Sequence, residues 1–177
     1  MTTAAQDAQL LARVLDGDHD AFNQIMRNHE DRVFSVCLRI MGNREQALDA
    51  TQETFLTAFR KAAQFQGNSA LGTWIYRIAV NTCYDQLRRQ KRRRADPIPE
   101  HLDPADHHAE EEVDSAGMRP EIERALASLS DDYRSAVILS DIEGLGLPEV
   151  AAILGVPVGT VKSRVFRGRR LLAQHLG

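Results

Sequence analysis

The sequence predicts an all-α protein of two small helical domains joined by a flexible acidic linker. Three observations carry that expectation. Apolar residues recur at helical spacing through most of the chain, and no run alternates as a strand would. Aromatic residues make up 6% and glycine numbers 11 among 177 residues, which suits helices better than a β-sandwich. Between Asp96 and Gly117 lie eight carboxylates with Pro97, Pro99 and Pro104, and no Lys or Arg. Such a stretch has little to bury and reads as a tether able to reach roughly 70 Å when fully extended. The boundaries expected are therefore 1–95, 96–117 and 118–177.

Each element has a local reason. Asp20 is a plausible N-cap for a first helix carrying Phe22, Ile25, Met26, Val33, Cys37 and Ile40, which Gly42-Asn43 should end. A second helix is expected over about 44–63 and a third over about 70–93, with Phe65-Gln66-Gly67-Asn68-Ser69 as the loop between them. Pro120 suits the first turn of a helix over 120–129. Another is expected over 132–143, stopping at Gly144-Leu145-Gly146. The remaining tail has the form of a helix-turn-helix. Leu147, Val150, Ala151 and Leu154 make one core face, Gly155 the turn, and a second helix starts near Gly159.

The formal net charge of −3 argues mildly against nucleic acid as a partner, but its distribution reverses that inference. Residues 1–95 hold 14 Lys/Arg against 10 Asp/Glu, and residues 136–177 hold 5 against 3. Residues 96–135 hold 3 against 12. Two basic parts thus flank an acidic middle.

Three helical faces carry chemistry. In the last helix Val161, Val165, Gly168 and Leu172 cluster on one side, while Gly159, Ser163, Phe166, Arg167 and Arg170 fall opposite. Phe166 pointing outward among basic residues suits a thymine methyl, and the arginines suit phosphates or guanine edges. On the third helix Trp74, Arg77, Asn81, Tyr84, Asp85, Arg88 and Arg92 form one stripe running into the basic run Arg88–Arg94. That stripe fits stacking on unpaired bases, and Trp74 as a core residue fits the wheel equally well. On the second helix Leu48, Thr51, Phe55, Ala58, Phe59 and Ala62 are expected inward, and Asp49, Gln52, Glu53, Leu56 and Arg60 outward. Leu56 within an acidic and amide surround has the pattern of a small protein interface.

Other chemistry finds little support. Cys37 and Cys83 lie far apart with no CxxC pattern and read as plain thiols of a reducing cytoplasm. His107, His108, Glu110, Glu111 and Glu112 could be imagined as metal ligands, but they fall in the tether, where nothing fixes a second shell. Phosphate loops and nucleophile elbows are missing, so neither a catalytic site nor a cofactor nor a metal is expected. No apolar run reaches the roughly 18 residues of a membrane span, and the first thirty residues lack an apolar signal core.

Three blocks then point to a family. Asp49-Ala-Thr-Gln-Glu-Thr-Phe-Leu56, Thr73-Trp-Ile-Tyr-Arg-Ile-Ala-Val-Asn81 and Gly155-Val-Pro-Val-Gly-Thr-Val-Lys-Ser-Arg164 resemble, in order and spacing, bacterial sigma factors of the extracytoplasmic-function group, which keep only regions 2 and 4. The resemblance covers nearly the whole chain outside the tether. It implies a cytoplasmic transcription initiation factor, not an enzyme, that directs core RNA polymerase to −35 and −10 promoter elements and melts DNA without ATP. It implies docking on the polymerase β′ clamp helices through Asp49, Gln52, Glu53 and Leu56, and contact with the β flap. It implies −10 recognition by Phe65, Gly67, Asn68, Ser69, Trp74, Arg77, Asn81 and Arg88. It implies −35 recognition by Thr160, Lys162, Ser163, Phe166, Arg167 and Arg170, and a dedicated anti-sigma factor as a partner. One departure from the family pattern is Gly146-Leu147-Pro148 at the start of the first helix-turn-helix helix, which bears on cap strength.

Overall fold

Helix ends set the architecture, because each leaves backbone groups that need partners from elsewhere. A computed structural model describes residues 4–96 and 119–177. The linker expected at 96–117 lies outside the described residues, apart from Asp96 at the end of a helix. Four α-helices form the N-terminal half: α1 (Ala4–Leu15), α2 (His19–Met41), α3 (Arg44–Arg60) and α4 (Leu71–Ala95). A short 3-10 turn, Ala62–Gln64, follows α3. The C-terminal half contains α5 (Pro120–Ser128), α6 (Asp131–Val137), α7 (Leu147–Leu154) and α8 (Val158–Leu176). The last turns of α6 continue as a π-helical segment, Ile138–Ile142. No strand occurs among the described residues.

The start of α2 differs from expectation. Asp18, not Asp20, is the N-cap: its carboxylate accepts the Ala21 N–H at 3.2 Å, leaving Asp20 inside the first turn. Arg13 also donates to Asp18, at 2.7 Å, and this bond lowers the carboxyl pKa below its ordinary value. The expected stop holds. Gly42 takes the left-handed conformation with φ 68° and donates to the Leu38 carbonyl, and Asn43 then caps α3 by accepting the Gln46 N–H. Helix α1 was not expected from the sequence. Leu10 is buried on it, Leu11 and Val14 pack partly buried against the core, and a contact of the buried Asp7 with His29 at 3.2 Å ties it to α2.

Packing turns α3 by a fraction of a turn from the expected orientation. Its buried face is Ala47, Ala50, Thr54, Phe55 and Ala58, whereas Leu48 and Phe59 are 45% and 38% exposed. Small residues let α3 lie close to α2, and that close approach outweighs the larger side chains in choosing the inward face. Thr54 tolerates full burial because its hydroxyl donates to Ala50 O at 2.6 Å. Phe59 rests edge-on against Phe22, with ring centroids 5.0 Å apart. Cys37 and Cys83 are both buried free thiols, and the hydrogen bond that Cys83 donates to Cys37, then burial, raises the Cys83 pKa.

In the C-terminal half, Arg134 of α6 donates to the carbonyls of Leu126, Ala127 and Leu129 at 2.8–3.0 Å. It thereby satisfies the end of α5 and fixes the angle between the two helices. Glu149 reaches back to the Gly146 N–H at 3.1 Å, which restores an N-terminal cap contact despite the glycine. Gly155, with φ 66°, makes the turn between α7 and α8. Val161, Val165 and Gly168 bury the inner face of α8 against α6. Ile153, absent from the expected core face of α7, is 2% exposed, while Leu147 and Leu154 are only half-buried.

The two halves do not stand apart: their apolar residues form one continuous core, with α7 lying along α4 and α6 beside α2.

At Gly168 an added Cβ would lie 2.6 Å from Val137 Cγ2 and 3.4 Å from the Tyr133 carbonyl. Val137 is buried and β-branched, so it has little room to rotate. Gly168→Ala is expected to cost about 1–3 kcal/mol through overpacking, read as a lower urea midpoint at an unchanged slope.

Candidate functional site

The outer face of α3 presents Asp49, Gln52 and Leu56 to solvent, with Leu56 55% exposed. Glu53 is half-buried because it accepts Gln86 Nε2 of α4 at 3.0 Å and lies 4.0 Å from Arg89. It therefore braces α3 on α4 as well as facing outward. Leu48 and Phe59, expected inward, share this outer side with Leu56. The face is thus an apolar strip edged by carboxylate and amide groups, wider than one leucine. The signal that could have found it is the run of alanines at Ala47, Ala50 and Ala58, which already supplies a complete close-packing face.

A second region spans the loop before α4 and the helix itself. Phe65 and Trp74 are both half-buried and pack with ring centroids 5.3 Å apart and planes tilted by 56°. Gly67 has φ 74°, a left-handed conformation that lets the loop turn back. Asn68 donates to the Gln66 side chain at 3.2 Å, and the Ser69 hydroxyl donates to Ala70 O at 3.3 Å. Trp74 is thus both packed and partly open, between the two alternatives of the wheel. Asn81 is exposed, and Arg88 pairs with Asp85 at 2.7 Å one turn away.

Two members of the stripe are engaged by the other half. The Arg77 guanidinium donates to Ala152 O through Nε at 2.9 Å and also through Nη2. Tyr84 is not free to stack: its hydroxyl donates to Asp131 O at 2.6 Å, and burial raises its pKa. The wheel placed Tyr84 correctly on the stripe but carried no information on what covers it.

The outer face of α8 forms the third region. Phe166 is 67% exposed, and Lys162, Ser163, Arg167 and Arg170 are exposed around it, with Thr160 half-buried beside α6. The cations of α8 divide into two sets. Arg164 pairs with Asp132 at 3.1 Å, and Arg169 grips Asp141 through two bonds of 2.6 and 2.8 Å. Lys162, Arg167 and Arg170 form no ion pair among the described residues. Hydrogen bonding from Arg169 lowers the Asp141 pKa, so that pair stays ionised through neutral pH. Val158, 44% exposed in the first turn, adds an apolar edge that the sequence reading omitted.

No cluster of three metal-ligating side chains occurs among the described residues. The His107, His108 and Glu110–Glu112 group lies outside them. No helix among the described residues is long and apolar enough to cross a membrane.

The chain matches the Sigma-70 region 2 family over residues 25–93 and the Sigma-70, region 4 family over residues 119–172. The ECF RNA polymerase sigma factor SigE of Mycolicibacterium smegmatis is 40% identical over 88% of the chain, which spans 62% of that relative's length. SigM of Mycobacterium tuberculosis, also an ECF sigma factor, is 38% identical over 97% of the chain and 85% of its own length. The chain belongs to the extracytoplasmic-function sigma factors. Members of this family act in promoter-specific initiation of transcription. Among solved structures, the sigma factor RpoE of Bartonella quintana, in complex with the anti-sigma factor NepR, superposes with a TM-score of 0.69. It is 29% identical and covers 88% of this sigma factor and 96% of its own chain. The α3 and α4 faces fall within the region 2 match, and the α8 face within the region 4 match.

The Phe65–Trp74 contact can be read directly, because Trp74 is the single tryptophan. Phe65→Ala removes the ring that half-covers the indole. Trp74 emission is expected to shift to longer wavelength and become more readily quenched by acrylamide, with the helical circular dichroism unchanged.

Proposed function

We propose that this sigma factor binds core RNA polymerase through α3 and reads promoter DNA with α8 and α4. Residues 1–95 would form region 2, 96–117 the acidic linker, and 118–177 region 4. Asp49, Gln52, Glu53 and Leu56 dock on the β′ clamp helices, and region 4 engages the β flap. Thr160, Lys162, Ser163, Phe166, Arg167 and Arg170 enter the −35 major groove. Phe65, Gly67, Asn68, Ser69, Trp74, Arg77, Asn81 and Arg88 hold the unpaired −10 strand. The single observation that best supports the reading is the outer face of α8, where Phe166 stands exposed among Lys162, Arg167 and Arg170, which have no carboxylate partner among the described residues.

The physical balance of melting fits this assignment. Taking a base out of its stack costs a few kcal/mol, and stacking on an aromatic side chain returns roughly 1–3 kcal/mol per base. Chemistry at a nucleotide is not needed, so the protein acts as a binding subunit and not as an enzyme, without cofactor or ATP. Its place of action is the cytoplasm, where polymerase and promoter DNA meet. An anti-sigma factor is a further partner, supported by the RpoE relative solved with NepR.

In vitro transcription with core polymerase and a library of randomised promoters tests the reading and reports both elements at once. Transcription no greater than that of core polymerase alone would sink it. Phe166→Ala is expected to relax −35 preference while core polymerase binding stays at the wild-type level. Asp49→Ala combined with Leu56→Ala is expected to weaken polymerase binding by about tenfold or more, the usual cost of losing interface anchors. A stand-alone helix-turn-helix regulator would instead bind and act on DNA unchanged by that double substitution.

A further inference from the structure

The start of α4 is held differently from the starts of α2 and α3. Those two are capped by Asp18 and Asn43, whereas Ala70 heads α4 and no side chain bonds its first-turn N–H groups. The Trp74 N–H donates back to Ala70 O at 3.2 Å. The turn that leads to Trp74 therefore depends on other helices for its place. Leu71 is buried there, and next to it Gly72 faces the imidazole of His29 on α2. A Cβ added at Gly72 would lie 3.3 Å from Cε1 and 3.5 Å from Nδ1 of that ring. The glycine thus lets the ring come up against the helix backbone.

Helix α1 holds the ring from the other end. Asp7 Oδ2 meets His29 Nε2 at 3.2 Å, with the two side chains 8% and 12% exposed. The second oxygen, Oδ1, is buried and has no hydrogen-bond partner among the described residues. As a way of docking α1 this is a poor choice. A buried acid with one oxygen unanswered is destabilising, and an apolar pair of similar volume often does as well or better. What the pair supplies is direction, because a hydrogen bond fixes the tilt of the imidazole where an apolar contact would not. Helix α1 also packs on the turn Ala62–Gln64 and on α4, the two segments that bracket the loop 65–69.

We propose that Asp7 and His29 are positioning residues for strand capture: through Gly72 they fix the first turn of α4, and so the placement of Trp74 against the loop 65–69. The statement rests on the assignment of Trp74 and this loop to the −10 strand. Neither residue touches nucleic acid. Asp7 orients His29, His29 sets the height of the backbone at Gly72, and Trp74 follows two residues later with its ring against Phe65. A site that stacks a base tolerates only small errors in the spacing of its walls, about 0.5 Å. Helix α1 lies before the residues matched to Sigma-70 region 2, and this arrangement gives it a part in binding the strand.

The test uses the full chain, with strand affinity read as the anisotropy of a fluorescein-labelled pool of random-sequence single-stranded DNA. Asp7→Ala combined with His29→Leu replaces the pair by an apolar one of similar total volume. Its urea midpoint is expected to equal or exceed that of the wild type, while pool affinity falls about tenfold through impaired stacking and Trp74 emission moves to longer wavelength. His29→Gln, which keeps a donor where Nε2 stands, is expected to restore most of the affinity. Wild-type affinity in the paired variant overturns the positioning role. So does a fall in midpoint with Trp74 emission unmoved, or a His29→Gln protein as weak as the paired variant. Should the paired variant fail to fold, Gly72→Ala separates ring and turn with Asp7 and His29 both present. Weakened strand binding in that protein supports the proposal, and unchanged binding overturns it. Trp74→Ala separates this proposal from the reading beneath it. If that substitution leaves pool affinity at the wild-type level, the −10 assignment fails, and an emission shift in the paired variant still upholds the placement of α4 by Asp7 and His29.

Discussion

Short helices have proportionally more unsatisfied backbone than long ones, and α5, α6 and α7 of the C-terminal half are all short. Helix α7 has 8 residues and α6 has 7 before its π-helical continuation. At the end of α5, which has 9 residues, a single guanidinium, that of Arg134, meets this need. It holds the Leu126, Ala127 and Leu129 carbonyls of the α5 end and, with its remaining amino group, the end of α2. The planar fork of arginine makes this geometry available, where the single ammonium of lysine would not. That side chain, together with the buried Ala136 and Val137, sets the placement of α6, against which α8 packs.

From α6 the constraint passes to the outer face of α8. Val161, Val165 and Gly168 fix which side of α8 turns inward, and Gly168 sets how closely the helix approaches Val137. The opposite side is then determined by helical geometry alone, which is why Lys162, Ser163, Phe166 and Arg167 come out together. The α3 face arises in the same way. Its alanines choose the inward side, and Leu48, Leu56 and Phe59 are left outside beside Asp49 and Gln52.

What could be read from the sequence was whatever depends on neighbours within one or two turns. The Gly42-Asn43 boundary, Pro120 at its helix start, Gly155 at the turn and the two sides of α8 all belong to this class. Asp18 and Asp20 both satisfy the local rule for a cap, and only the position of Arg13 and the incoming chain separates them. Long-range pairing was illegible. Nothing local tells Arg164 and Arg169 from Arg167 and Arg170, since their partners Asp132 and Asp141 lie about thirty residues earlier. The cover over Tyr84 and Arg77 comes from the other half of the chain and left no periodic trace. Helix α1 was legible but not read: Leu10, Leu11 and Val14 recur at helical spacing and pack on the core, with the buried Asp7 one turn before them.

The division of the α8 cations has a consequence for how this protein meets a polyelectrolyte. Binding to duplex DNA releases condensed counterions in proportion to the phosphates neutralised, at about 0.9 ion per phosphate. Arg164 and Arg169 already have carboxylates as counterions and release nothing when a phosphate arrives. Lys162, Arg167 and Arg170, unpaired among the described residues, are the cations of α8 left to displace them. The helix on its own is thus a weak anchor whose affinity should change only gently with ionic strength. On the proposed assignment, a grip of that kind would select sequence through Phe166 and its neighbours while leaving retention on the promoter to the larger assembly.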